Sequence, residues 1–552
     1  MELSTEKPTW YSRLSSLAGF TASGLGGGLL AVLAGTAFFA TTHMDTKNFC
    51  MERISYSWDS VLLNFLYLLT CVAVFWVLMF LLGKLPDWSM YLIAGIFVLA
   101  FALIWVIGAQ SAPNNDSGIV TQTGAKLASG DLSGLQRSYY VYFPFQLGYV
   151  LWTQVWSSIL HVGDNYVPLE VVNAVCVAAG AVGLIRLTGL LFPDRMPMRA
   201  AVLFVLAFPQ GAIFSTFLYG NIPSFAFATW ALCAFVSHTR KPAWWKMVLC
   251  GLALCMAVCL KLNSLIVMVA VAIAYLLWIV RNKKWLQTLA LIGLVLAVVF
   301  GKGLPQLYYE KTTGIRFGKG IPMVSWAAMG TAEGAYIAPG WYISELTRGT
   351  FEDSDRDPEL TAKRSGEILK KRLGELASKP GEAFRFFYEK GASQWNETTY
   401  QSVWNTEVRG CYNEDGRTGL ARFITDGHQE GFAQVLDATA MFMYACAAGG
   451  AILLIVKKKE PETAVLPILF LGGFFYHEIF EAKSQYVMTY ALWLLPLAAF
   501  GFSEFVGCLE KLFRTGNRQT KEKAKIAEDT GIRSGPEEGK EETCEDGSDV
   551  SA

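Results

Sequence analysis

Long apolar runs separated by short polar loops dominate this chain. They fall near 15–40, 59–83, 89–109, 144–162, 167–192, 198–216, 222–237, 244–260, 263–280, 286–303, 433–456, 463–477 and 486–507. About thirteen runs of this kind, many near the ~20 residues needed to cross the hydrocarbon core of a bilayer, predict an all-α polytopic integral membrane protein. The first run follows Lys7 and Arg13. It is longer than the apolar core of a cleavable signal peptide, and further runs follow, so an anchor is expected.

Two polar stretches interrupt the pattern. Residues 304–432 carry Tyr308, Tyr309, Trp326, Tyr336, Trp341, Trp395 and Trp404. Within them, 359–378 reads as an amphipathic helix with Leu369, Leu373 and Leu376 on one face, ended by Pro380. The end of the chain turns basic and then acidic with almost no aromatics, so it reads as disordered beyond about 515. This divides the chain into a membrane bundle over 1–303 with an outside loop at 110–143, an extracytoplasmic region over 304–432, C-terminal membrane helices over 433–507, and a disordered cytoplasmic tail over 508–552.

Charge supplies the orientation. Arg240, Lys241 and Lys246 share one loop, Arg281, Lys283 and Lys284 the second, and Lys457, Lys458 and Lys459 the third. The positive-inside rule places all three in the cytoplasm together with the basic start of the tail, and therefore 304–432 outside. An inside N-terminus puts 110–143 outside as well. Thirteen full crossings cannot leave both ends on one side, so one segment between 144 and 237 must be re-entrant, short or miscounted.

Composition agrees with a membrane protein. The chain is 53% hydrophobic and 17% charged, with mean hydropathy +0.35. A net charge of zero offers nucleic acid no electrostatic footprint. Most of the cysteines lie in or beside apolar runs, as small packing residues do. Cys50 and Cys411 fall in outside loops, and the sequence leaves open whether they pair. Gly24-Leu25-Gly26-Gly27-Gly28 lies inside a span with no strand before it, so it predicts close helix packing rather than a nucleotide loop. Asn115-Asp116-Ser117 and Asn396-Glu397-Thr398 have the pattern of glycosylation acceptors.

The first outside loop carries Asp116, Lys126, Asp131 and Arg137 ahead of Tyr139-Tyr140-Val141-Tyr142-Phe143-Pro144. An acidic residue after an early span, an amphipathic loop and then this aromatic Tyr-x-Pro stretch resemble the GT-C membrane glycosyltransferases. The branch is that of the protein O-mannosyltransferases and aminoarabinose transferases. Phe208-Pro209, Tyr219-Gly220-Asn221-Ile222-Pro223, the Lys379-to-Trp395 segment and Glu481-Ala482-Lys483-Ser484-Gln485-Tyr486 extend the resemblance over roughly 90–500. Many relatives have Asp at the position of Asn221 and Arg at that of Gln485. A second acid close behind the first is absent here until Asp131.

The resemblance implies an all-helical fold with interfacial helices and transfer of a sugar from a polyprenyl-phosphate donor, usually with inversion. The implied acceptor is a glycan, a lipid or a protein. It makes Asp116 the general base, Lys126, Arg137 and Lys483 the donor-phosphate cations, and Glu481 and Tyr142 the residues that orient substrate. The chemistry is reasonable: an acceptor hydroxyl needs a base, and a departing phosphate needs cations. The bland alternative is that Asp116 caps a helix over 117–129 and the cations meet lipid headgroups. Lys261, between two apolar runs, is a functional hypothesis by position alone. The expected setting is a plasma membrane, with membrane lipids and the lipid-linked donor as partners. No organic cofactor is called for, and a divalent metal remains compatible. The rival function is a transporter or flippase of lipid-linked sugars, which would carry mid-span charges and repeat symmetry.

Overall fold

A computed structural model describes residues 10–44, 52–334, 337–410 and 416–529. Lys7, Cys50, Tyr336 and Cys411 lie outside the described residues, as does the tail beyond 529. The chain divides into two compact units, Met1–Ser503 and Glu504–Ala552. The site lies in the first, which includes 304–432.

The protein is all-α and polytopic, with one small hairpin. All thirteen apolar runs are helical, but their lengths differ. Among the described residues nine helices are long and apolar enough to cross a membrane, or ten if one bent pair counts as a single span. The helices Leu147–Leu160, Trp244–Leu260 and Val465–Ile479 have 14, 17 and 15 residues. At 1.5 Å per residue these reach only about 21–26 Å, short of a bilayer core of ~30 Å. The bent pair is Arg195–Ala207 with Gln210–Thr216, at 48°. It breaks at Phe208-Pro209, where proline removes a backbone donor and its ring clashes with the preceding turn. The broken pair and one short helix both fall between 144 and 237, where span count and charge conflict.

Helix α1, Trp10–Phe39, packs along the Gln429–Val456 helix. The glycine run sits at that contact. A methyl group on Gly27 would stand 3.4 Å from Ala448 O and from the Ala451 side chain, and one on Gly26 3.4 Å from Pro467. Helix α2, Val61–Leu82, leaves Leu62 69% and Phe80 67% exposed, the surface a lipid-facing helix presents. Helix α3, Asp87–Ala109, packs on Val167–Leu191, which packs on Asn221–Arg240.

Some local expectations change. Strands β1, Ala40–Met44, and β2, Ile54–Trp58, form an antiparallel hairpin that periodicity did not reveal. The amphipathic helix is Pro358–Ser378, but its buried residues are Thr361, Ser365 and Leu376, with Leu373 exposed. Pro380 does not merely end it; it starts the next helix, Pro380–Trp395, because a missing N–H costs nothing at a helix's first position. The last helix continues to Asp529, so 508–529 is helical where the sequence reading began a disordered tail. Asn396 is 1% exposed and donates to Ala40 O at 2.6 Å, so it is no accessible glycosylation acceptor.

Candidate active site

Asp116 lies in the first turn of α4, Asn115–Ala128. The N-cap position is taken by Asn114, and among the described residues no hydrogen bond holds the Asp116 carboxylate. Capping therefore does not account for it. Its side chain reaches solvent yet has protein packed around much of it. Desolvation there raises its pKa. The charges of Lys483, Lys261 and Arg348, in that order, act to lower it, and Glu52 adds to the rise.

The cations come from three distant parts of the chain. Lys483 lies in the loop between the Val465–Ile479 and Ser484–Asp529 helices and is 2.7 Å from the Glu52 carboxylate. Glu52 also accepts from Gln401 Nε2 at 3.2 Å. Burial works against the Lys483 charge, but Glu52, Glu481 and Asp116 outweigh it and leave the ammonium above its ordinary value. Glu481, on the same loop, is pushed up to about 7, chiefly by desolvation, against the pull of Lys483. It accepts from Tyr486 OH at 3.2 Å.

Lys261 projects from the end of the Trp244–Leu260 helix. Its ammonium lies 4.4 Å from the Tyr219 ring centre and 5.0 Å from that of Tyr486. Desolvation brings it down to about 8, opposed by Glu481 and Asp116. The turn that delivers Tyr219 depends on Gly220, at φ +70°. A methyl group there would stand 2.2 Å from Leu260 O, so only glycine lets this turn rest against the helix end. Tyr219 OH accepts from Gln146 Nε2 and lies 3.4 Å from Tyr139 OH. Arg348, at the start of the short Arg348–Glu352 helix, stacks over the Tyr142 ring at 4.8 Å. Tyr142 OH donates to Glu352. Tyr142 thus supports a cation that acts on Asp116.

The structure sets the Lys483 charge against both Asp116 and Glu481. It does not bring Lys126 or Arg137 to them. Lys126 is ten residues along α4 from Asp116, about 15 Å by helical rise, and pairs with Asp131 at 3.5 Å. Arg137 donates to Gln122 at 3.3 Å. The other cations whose charges act on Asp116 are Lys261 and Arg348. Lys261 was legible as an ionisable residue ending an apolar run. Arg348 and Glu52 carry no local signal, because their approach to Asp116 is wholly tertiary. Among the described residues no three His, Cys, Asp or Glu side chains are grouped so as to hold a metal ion.

Behind the polar groups lie two adjoining cavities. One is lined by Asn221, Ser224, Lys261, Tyr486 and Trp493 among others. The second is apolar, lined by Phe97, Phe101, Phe208, Pro209 and Leu495 among others. Phe225 forms part of both walls.

Residues 140–309 match the family model of the dolichyl-phosphate-mannose-protein mannosyltransferases. The chain thus resembles the GT-C membrane glycosyltransferases, and within them the protein O-mannosyltransferase kind. The match supports a membrane glycosyltransferase that uses a polyprenyl-phosphate sugar donor. It takes in Tyr140 to Tyr309, and so Tyr142, Tyr219 and Lys261, but not Asp116, Arg348, Glu481 or Lys483. No curated protein matches the chain.

Proposed function

We propose that this protein transfers a sugar from a polyprenyl-phosphate donor to an acceptor hydroxyl on the extracytoplasmic face of the plasma membrane, with Asp116 as general base. The observation that carries this reading is one carboxylate, without a hydrogen bond among the described residues, on which the charges of Lys483, Lys261 and Arg348 act. The donor phosphate sits among the cations and its lipid chain follows the apolar cavity beyond Phe225. The acceptor oxygen bonds to the sugar's anomeric carbon as the bond from that carbon to the phosphate oxygen breaks. Asp116 takes the acceptor proton, and the lipid phosphate leaves with the bonding electrons, its charge met by the ammonium and guanidinium groups. Glu481 orients Lys483 and, with Tyr486, lines the sugar side. No nucleotide takes part. A glycan, a lipid or a protein can supply the hydroxyl.

The test is transfer by purified protein supplied with polyprenyl-phosphate-linked sugars and envelope acceptors, native enzyme against Asp116→Asn. Release of free polyprenyl phosphate by the native protein and not by the variant supports the reading. Equal release by both removes Asp116 from the mechanism.

A further inference from the structure

The loop that presents Glu481 and Lys483 is short, and its backbone is held by a fully buried lysine. Lys390, on the Pro380–Trp395 helix, is 0% exposed. Its ammonium donates to three backbone carbonyls: Gly330 O, Glu478 O at 2.9 Å and Phe480 O at 2.8 Å. Gly330 ends the Met323–Gly330 helix, and Glu478 and Phe480 lie at the end of the Val465–Ile479 helix. One cation therefore satisfies carbonyls that two helix C-termini leave without intrahelical partners, and it sits where both helix dipoles favour positive charge.

The surrounding backbone is built for this approach. A methyl group on Gly330 would stand 2.5 Å from Ile479 O and Phe480 O. One on Gly340, at φ +72°, would stand 2.6 Å from Lys390 Cε and 2.8 Å from Nζ. Gly340 O in turn accepts from Ala482 N at 2.9 Å, the residue between Glu481 and Lys483. The buried Glu478 carboxylate, with no hydrogen-bond partner among the described residues, lies beside this knot and attracts the ammonium.

We infer that Lys390 is a positioning residue for the donor-phosphate site, holding the 478–483 loop so that Lys483 and Glu481 face Asp116. It does not touch substrate; it acts through the carbonyls of Glu478 and Phe480 and the Gly340–Ala482 hydrogen bond. This inference rests on the phosphate role of Lys483 proposed above.

Lys390→Met keeps the length of the side chain and removes its donors. In the folded, detergent-purified variant the donor KM is expected to rise about tenfold or more, because a loop displaced by an ångström misplaces Lys483. The acceptor KM should stay near the native value. Combined with Lys483→Ala, Lys390→Met should add little further loss, since both act through one contact. Should Lys390→Met fail to fold, Lys390→Leu, which likewise removes every donor, is read by the same measurements. An unchanged donor KM in a folded variant overturns the inference. So does a loss spread equally over both substrates that adds fully to that of Lys483→Ala, because that is general destabilisation. A native donor KM in Lys483→Ala alone would instead refute the phosphate reading, so the two failures are distinguishable.

Discussion

The Lys483 ammonium lies 2.7 Å from the Glu52 carboxylate, although 431 positions separate the two in the chain. This pair ties the segment leading into β2 to the loop before the last helix, and it places a second acid beside Asp116. Glu52→Gln removes the charge and keeps the shape. Breaking a charge-assisted contact in this largely shielded place should cost about 1.5–3 kcal/mol of stability, read as a lower unfolding temperature in detergent. With Lys483 released to the phosphate, kcat should remain within a few-fold of native. A kcat loss as deep as that of Asp116→Asn would make Glu52 the base.

Asp116→Asn should lower kcat by about 10²–10⁴-fold, the usual cost of losing a general base, with the donor KM changed little. Asn keeps the shape and the place in the first helical turn but cannot accept the proton. Steady-state kinetics with varied donor, together with donor-lipid binding by the same preparation, checks this. Near-native turnover would leave Asp116 structural.

Turnover should follow a bell-shaped pH profile. On the acid side the base works only when ionised, and desolvation raises the Asp116 pKa, so activity should fall off at a higher pH than an ordinary aspartate would set. On the alkaline side Lys261, brought down to about 8 by burial, loses its proton as pH passes that value, and donor affinity should weaken with it. Lys261→Arg keeps a charge that does not titrate in this range. Its donor KM should therefore climb less with pH than the native value does. Identical alkaline limbs in the two proteins would exclude Lys261 from donor binding.

The charge pattern predicts that 304–432 is outside and the end of the chain inside. Single cysteines placed at Glu345 and Thr520 are to be labelled with an impermeant thiol reagent on intact cells. Cysteine at 345 should react and cysteine at 520 should not; the opposite result inverts the orientation.

The sequence by itself determined the class of the molecule. Thirteen apolar runs became helices because a lipid-facing backbone must satisfy its own hydrogen bonds, and the run with the Phe208-Pro209 break bent where proline forbids continuation. Asp116, Glu481 and Lys483 were legible because polar residues just beyond apolar runs stand out, and the Tyr-x-Pro and Glu-x-Lys stretches resemble a known family. The tertiary structure decided which cations meet the carboxylate. Lys126 and Arg137 are near Asp116 in the chain, yet an intervening helix carries them away along its axis, and Lys126 pairs with Asp131. Lys261, Arg348 and Glu52 are remote in sequence, and only the packing of helices and loops brings their charges to bear on Asp116. The same packing turned Lys390, a lone lysine on an amphipathic stretch, into the clamp of two helix ends. Hydrophobic periodicity is a local property of the chain; the convergence of charges is a property of the folded surface, and no window along the sequence contains it.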